Sequence, residues 1–521
     1  MSVVPPDRLP AIPALARGHA TGSPDVARFL GERASPATII ARARAVRAAF
    51  RPRGGAAPEL ADLAAGRGAA VLTGQQVGLL TGPLLTAVKA LAAVKIAADL
   101  SEAGAELAPV FWCASEDHDL VEVTRVPLPG PDGPAETGPD PAPLVRNRRP
   151  VGALPVEVDV AAVLEAARAA AGALADEESV AALRAAHEGA THRDAFVASL
   201  SWLLDEPALL FADAARAAEK PALVPLAARL VRERDAVRRL LDERAAELAA
   251  AGHPLQVVSE PGALPLFAIV DGERLLLRAR DGGLELKGRE GERHDAEEVV
   301  ARFAAGDWLP SFSALSRPLA ASTLYPVAAT VLGPAELAYW AQMLPLFGWA
   351  GIVPPILVPR PMAAPVTAAE RRSLEKLGLS LGDLFAGVEA LLAARGAARE
   401  GELLAGLAAV RDGALSSLAA LGPRLEGIEA GLAKNLEATR ENVRFALDKL
   451  ADRTRAAAGR ANEAEARQIR RLAASLAPGG RPAERVYSPL PWLLRHGRAG
   501  LVGPLKEQLR WDVAGLQEIE L

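Results

Sequence analysis

The chain has 521 residues, with 59 Lys and Arg against 64 Asp and Glu for a formal net charge of −5, and a single cysteine, Cys113. The length predicts about two to four domains. The charge balance excludes a global basic footprint for nucleic acid or an anionic membrane, and the lone thiol excludes an intrachain disulfide or a cysteine-cluster metal site, as expected of a reducing, cytoplasmic setting.

Residues 1–20 lack a basic start followed by an unbroken apolar run, and no stretch of about 18 uncharged apolar residues is evident, so neither secretion nor membrane spanning is expected. Residues 5–66 are Pro-punctuated, with a helix near Ala37 to Phe50 that packs beneath the first strand. Ala69 to Leu72 then read as a short buried strand. Gly74, Gly78 and Gly82 allow a tight turn, and Thr81 is placed to cap a helix from about Leu84 to Glu102, with Pro83 in its first turn. Free backbone N–H groups there suit an anion, and Lys89 or Lys95 adds a fixed charge; the plainer alternative is a loop that only turns the chain.

Ala108 to Ala114 form a second buried strand, ending in Glu116, Asp117, His118 and Asp119. Strand, helix and strand make a right-handed βαβ unit, an α/β fold in which the glycine-rich loop and the acidic cluster face one crevice. After a loop-like stretch at 128–150, an Ala-rich helical block from about Ala161 to Ala251 reads as an insertion rather than a continuation of the sheet. From Leu255 to Leu286 the period falls to two, with a hairpin around Asp281, Gly282 and Gly283.

Ser311 to Arg360 repeat the earlier logic. A strand from Tyr325 ends at Gly333-Pro334, a helix opens with Glu336 in its first turn, and Ile352 to Val358 supply a further strand of the same sheet. From Ala368 to Leu476 helix formers dominate, and Leu436, Val443, Leu450, Ala457 and Ala464 recur every seven residues, with Thr439, Ala446 and Arg453 at the intervening positions. A long antiparallel helical hairpin is expected, closed by Pro478-Gly479-Gly480 and followed by a return of Tyr487 to Leu509 onto the core.

The chemistry concentrates in Glu116, Asp117, His118 and Asp119, which suit acid/base work, an ammonium group or a hard metal ion, or else form a solvated turn. One His among carboxylates lacks zinc-motif spacing, so no metal is assigned. Cys113 reads as a sheet residue rather than a nucleophile. His187 and His192 read as surface or cap residues, and His253 and His294 receive no role. Arg317 and Arg360, each beside a proline, suit a phosphate or carboxylate clamp or a structural ion pair.

Val71 to Pro83, Pro109 to Asp119, Gly333 to Gln342 and Val358 to Arg360 together resemble the bacillithiol biosynthesis cysteine-adding enzymes, the BshC family, in order and over about residues 65 to 510. The resemblance implies a Rossmann-like parallel-sheet core related to class I nucleotidyl-transferring ligases, with a helical insertion, a small β insertion and a long antiparallel coiled coil forming a homodimer. Its divisions fall at 1–127 and 306–367 for the core halves, 128–254 and 255–305 for the insertions, 368–478 for the coiled coil and 479–521 for the return. The implied reaction joins the carboxylate of cysteine to the amine of glucosaminyl malate, with ATP as the expected activator.

Under that resemblance Thr73, Gly74, Gln75, Gln76, Gly78, Thr81 and Gly82 hold nucleotide phosphates. Asp117 or Glu116 binds the cysteine ammonium, His118 accepts a proton from the amine, and Asp119 faces the same substrates. Arg317, Gly333, Glu336, Tyr339 and Trp340 contact substrate. Two departures stand out: Gln75-Gln76 replaces the paired histidines of class I sites, and no lysine lies between Lys287 and Lys376, leaving Arg317 or Arg360 to substitute. An amide ligase or nucleotidyl transferase with another amine acceptor, or a non-enzymatic coiled-coil scaffold, are the alternatives.

Overall fold

The computed structural model describes residues 2–10, 12–130, 133–139, 144–145, 147–171, 175–213, 215–216 and 218–521; side chains at 170, 396–400, 430, 433 and 455–462 lie outside the description. The chain divides into two compact units, one built from 1–130, 134–368 and 481–521, the other centred on 369–480.

In the first unit, helix α1 (Pro36–Ala49) starts at a capping box in which Ser35 and Thr38 each accept the other's backbone N–H, and Pro36 occupies the first turn. Its Ile39 and Ala43 pack under strand β1 (Ala69–Gln75). Helix α2 (Leu85–Glu102) and strand β2 (Leu107–Cys113) complete a βαβ unit. Further along come helix α3 (His192–Leu204), strand β3 (Leu210–Ala212), helix α4 (Lys220–Arg232), and strands β4 (Ala263–Val270), β5 (Glu273–Arg280), β6 (Gly283–Leu286) and β7 (Leu309–Phe312). Helix α5 (Arg317–Leu324), strand β8 (Val327–Leu332), helix α6 (Pro334–Met343) and strands β9 (Ile356–Pro359) and β10 (Met362–Val366) follow.

A five-stranded parallel sheet has the order β9-β8-β1-β2-β3. All six residues of β8 and the first five of β1 are buried, the continuous apolar run demanded of strands covered on both faces. From β1 the chain winds outward through β2 and β3 on one side, and β8 and β9 lie on the other. The carboxyl ends of β1 and β8 therefore flank a topological switch point, where parallel sheets open a crevice.

Two assignments from sequence are corrected. The block read as a helical insertion contains β3, the edge strand of this sheet; three residues are too few to show a period. The stretch around Ser311, read as part of the second core half, opens with β7, which pairs antiparallel with β4 in a separate sheet of order β7-β4-β5-β6. Pro310 donates no ladder hydrogen bond, and β7 is accordingly an edge strand. The hairpin at Asp281-Gly282 joins β5 to β6.

Helix α2 begins without Thr81. Leu80 and Thr81 both have positive φ, at 52° and 74°, the Thr81 hydroxyl is buried without a hydrogen-bond partner among the described residues, and the Leu84 N–H donates instead to the Tyr487 carbonyl at 2.8 Å. The Leu80 N–H donates to Nε2 of His187 at 3.3 Å. His187 and His192 are thus buried rather than at the surface, and burial lowers the pKa of both, that of His192 to about 4.

In the second unit, helices α7 (Val388–Ala420) and α8 (Ala430–Leu476) pair as a hairpin. Arg395 meets Glu465 and Arg411 meets Asp448, so the partners converge in number toward the turn and the helices run antiparallel. Leu436 and Val443 are half-buried, but their intervening seam partners are Arg440 and Leu447, each one residue beyond the expected Thr439 and Ala446, which are exposed. Leu450 is 48% exposed and lies off the seam, and the side chain of Ala457 falls outside the described residues. Gly401–Glu426 is long and apolar enough by length and composition to cross a membrane, although Glu402, Arg411 and Asp412 interrupt it, so no uncharged run of about 18 residues is present; it forms part of one arm and the turn of this hairpin.

In the first unit again, helix α9 (Leu490–Gln508) leads into strand β11 (Leu516–Glu520), which pairs with β10 and with Val3–Val4.

Candidate active site

The crevice at the switch point is a cavity of about 560 Å³. Thr73, Gly74, Gln75 and Gln76 from the end of β1, Trp112 from β2, and Thr330 from β8 form its floor. Asp117, His118 and Glu122 form one wall, Arg317, Glu336, Tyr339 and Trp340 another, and Phe267 and Arg274 arrive from the antiparallel sheet. Gly74 is required where it stands: a Cβ there would lie 2.7 Å from the Trp112 carbonyl oxygen.

Asp117 is the centre of the charge arrangement. Gln76 Nε2 donates to its Oδ2 at 2.7 Å, and its Oδ1 accepts the His118 N–H at 3.0 Å. Arg274 lies 3.5 Å and Arg317 3.7 Å from the carboxylate. Burial pushes the carboxyl pKa up, but the two guanidiniums and Gln76 outweigh it and hold the group at about 2. Asp117 is ionised at neutral pH.

Arg274 is buried, and that burial lowers its pKa to about 10, so it remains cationic at neutral pH. Its guanidinium carbon stacks 3.7 Å above the Phe267 ring, and Nη1 lies 3.2 Å from His118 Nδ1. Burial and then the Arg274 charge lower the His118 pKa, so this imidazole is neutral at pH 7. A guanidinium only donates, so Nδ1 of His118 is the acceptor and Nε2 carries the hydrogen. His118 therefore presents a donor to the crevice, and its one lone pair is already taken.

Lys89 is buried below the floor, bonded to the Gly74 carbonyl at 2.9 Å, Gln75 Oε1 at 2.9 Å and Glu336 Oε2 at 2.6 Å. Glu336 also accepts the Gly333 N–H at 2.6 Å, so one ion pair straps the end of β1 to the start of α6. Lys95 bonds the Leu509 carbonyl instead.

Several residues singled out from sequence are not brought to the crevice. Glu116 turns into a buried ion pair with Lys220 and accepts from Ser311 Oγ at 3.0 Å. Asp119 is exposed and caps the short helix Leu120–Thr124 by accepting the Glu122 N–H. Gly78, Thr81, Gly82 and Gly333 are not among the lining residues. The N–H groups of Leu80, Gly82 and Leu84 already donate to His187, the Leu79 carbonyl and the Tyr487 carbonyl, so this loop does not fit a phosphate cradle. Arg360 takes the ion-pair alternative, with Glu484 at 2.7 Å, both side chains almost fully buried. Cys113 is buried and its thiol pushed up by burial, which excludes a thiolate nucleophile.

Among the lining residues that escaped the sequence reading, four bear on the chemistry of the crevice. Arg274 sits in a strand whose alternation shows only a hairpin, and Phe267 looks like any core aromatic. Glu122 lies just beyond the acidic cluster; the residue is exposed by area, but partial desolvation at the crevice wall, then Asp119 and Asp117, raise its pKa. Thr330 is buried in β8, and its hydroxyl has no partner among the described residues.

Residues 39–361 match the model of the bacillithiol biosynthesis BshC N-terminal Rossmann-like domain, and 364–510 match that of the BshC C-terminal coiled-coil domain. The chain belongs to the BshC family. A relative from Solibacter usitatus is 30% identical over 466 residues, 88% of this chain and 85% of its own length, and one from Thermus thermophilus is 33% identical over 435 residues, 82% and 84%. A third, from Koribacter versatilis, is 35% identical over 334 residues, covering 62% of this chain and 60% of the relative. Each carries the name "Putative cysteine ligase BshC".

Proposed function

We propose that the protein is a cytoplasmic ligase that joins the carboxylate of cysteine to the amine of glucosaminyl malate, the cysteine-adding step of bacillithiol biosynthesis. The observation that carries this reading is the crevice at the switch point, where ionised Asp117 lies between Arg274 and Arg317 with the neutral His118 beside it. Such a set binds both signs of charge: the carboxylate attracts an ammonium, and the guanidiniums attract carboxylates. Cysteine offers one of each, and glucosaminyl malate brings further carboxylates. The family membership and the names of the relatives point the same way.

In this reading Asp117 holds the cysteine ammonium, Arg274 and Arg317 orient carboxylate oxygens, and the His118 Nε2–H donates to an oxygen of the reacting carbonyl. Glu122, with its raised pKa, takes the proton that the attacking amine loses as the C–N bond forms and the carboxylate C–O bond breaks, the oxygen leaving with the group that activates it. ATP would supply the activation of the carboxylate, but the loop from Gly78 to Gly82 does not fit its phosphates, and no step is assigned through it. A homodimer through the hairpin is part of the proposal, because Leu403 and Val410, seven residues apart, and Phe445 and Leu450 are all exposed along it.

The test is thiol profiling by mass spectrometry in a deletion strain against its parent, joined to turnover of cysteine and glucosaminyl malate by the purified protein with and without ATP. Loss of bacillithiol with accumulation of glucosaminyl malate supports the assignment. Unchanged bacillithiol in the deletion strain overturns it.

A further inference from the structure

Glu116 belongs by sequence to the acidic cluster, yet it faces away from the crevice and is 7% exposed. It is not isolated from the site. One carboxylate oxygen pairs with Lys220, whose ammonium also donates to the Pro310 carbonyl at 2.7 Å. The other accepts the Ser311 hydroxyl at 3.0 Å, and Ser311 Oγ in turn accepts Arg274 Nε–H at 2.9 Å. Arg274 Nη2 donates to the Phe312 carbonyl at 3.3 Å. That leaves Nη1 as the nitrogen directed at Asp117 and His118.

Every member of this chain is buried, Ser311 completely. A guanidinium is a rigid planar fork, so fixing Nε and one terminal nitrogen fixes the direction of the other. Phe267 beneath the plane removes the remaining freedom. We infer that Glu116 and Ser311 are positioning residues that act through Arg274, aiming its free guanidinium edge at Asp117 and His118 from outside the crevice. Lys220 serves the same end by neutralising Glu116, because an unpaired carboxylate in this setting would draw the guanidinium toward itself.

The consequence is readable at His118. The charged groups facing its imidazole are Arg274 from β5, Arg148 from the connecting segment, and Asp117 and Asp119 from its own turn. If the relay aims Arg274, cutting it relaxes the guanidinium away from Nδ1 and lets the imidazole protonate more easily. A residue that merely fills the core would change stability without moving this titration.

The experiment is an NMR titration of the full-length protein labelled at histidine, with the His118 signal identified by its loss in His118→Gln. Ser311→Ala removes only the hydroxyl link, and the His118 titration is expected to move upward by about one pH unit. Arg274→Lys keeps the charge but not the fork, and the same upward direction is expected. Glu116→Gln is a third probe, with thermal melting recorded for each variant to separate folding from aim. An unmoved His118 titration in folded Ser311→Ala, or in folded Glu116→Gln should Ser311→Ala fail to fold, overturns the inference. The measurement uses no substrate, so it stands or falls independently of the ligase reading.

Discussion

At the scale of single residues, Asp117 has two separable roles. As the crevice anion it should be needed for turnover: Asp117→Asn keeps the Gln76 contact but removes the charge, and at least a hundredfold loss of kcat/KM, about 2.7 kcal/mol, is expected in the reconstituted reaction. As a carboxylate held at about 2, below its unfolded value near 4, it adds stability that is full above pH 4 and lost as the pH falls toward 2. Urea midpoints measured across that window should fall less steeply in Asp117→Asn than in the parent. Lys89 gives a harsher test. Lys89→Met leaves the Gly74 carbonyl and Gln75 Oε1 without their buried partner and Glu336 with only the Gly333 N–H, and a loss of about 2–3 kcal/mol is expected by chemical denaturation. The crevice residues from β1 and from the turn after β2 were legible because each follows an apolar run that stops at polar residues. Arg274 was not, because it approaches His118 from 156 positions away in a strand whose period reports only pairing with its neighbours.

Among elements, legibility followed length and period. The strand–helix–strand start, β8 with α6, and the long hairpin were readable because each repeats its pattern over enough residues to reveal it. β3 and β7 are three and four residues long, and their membership is settled by partners distant in sequence. The hairpin register slipped by one residue because alanine and threonine on α8 match a heptad as well as the true seam positions do. Leu447→Ala should therefore lower the thermal midpoint of the hairpin, followed by circular dichroism, whereas Thr439→Ala, at the exposed position one residue off the seam, should leave its folding free energy within about 0.5 kcal/mol. In the parallel sheet, Phe111 is fully buried against Phe196 and Phe211, with ring centroids 5.5 and 6.1 Å away. Phe111→Ala should cost about 3–5 kcal/mol in urea denaturation.

For the molecule as a whole, the two units differ in how much each buries. The parallel sheet is covered on both faces, whereas α7 and α8 bury only a seam between them. Hydrogen exchange followed by mass spectrometry should show amides of β1 and β8 among the slowest and those around 403–450 among the fastest. The crevice adds a further asymmetry. Its walls are shaped by the parallel sheet, while its pivotal guanidinium is supplied by a different sheet with its own hydrogen-bond ladder. Contour and polarity are therefore separately heritable. Sequence drift within residues 263–312 can retune which acceptor is welcomed without disturbing a strand of the parallel sheet. A chain stripped of that span would keep Asp117, His118 and Arg317 around the recess but lose the guanidinium that fixes the imidazole.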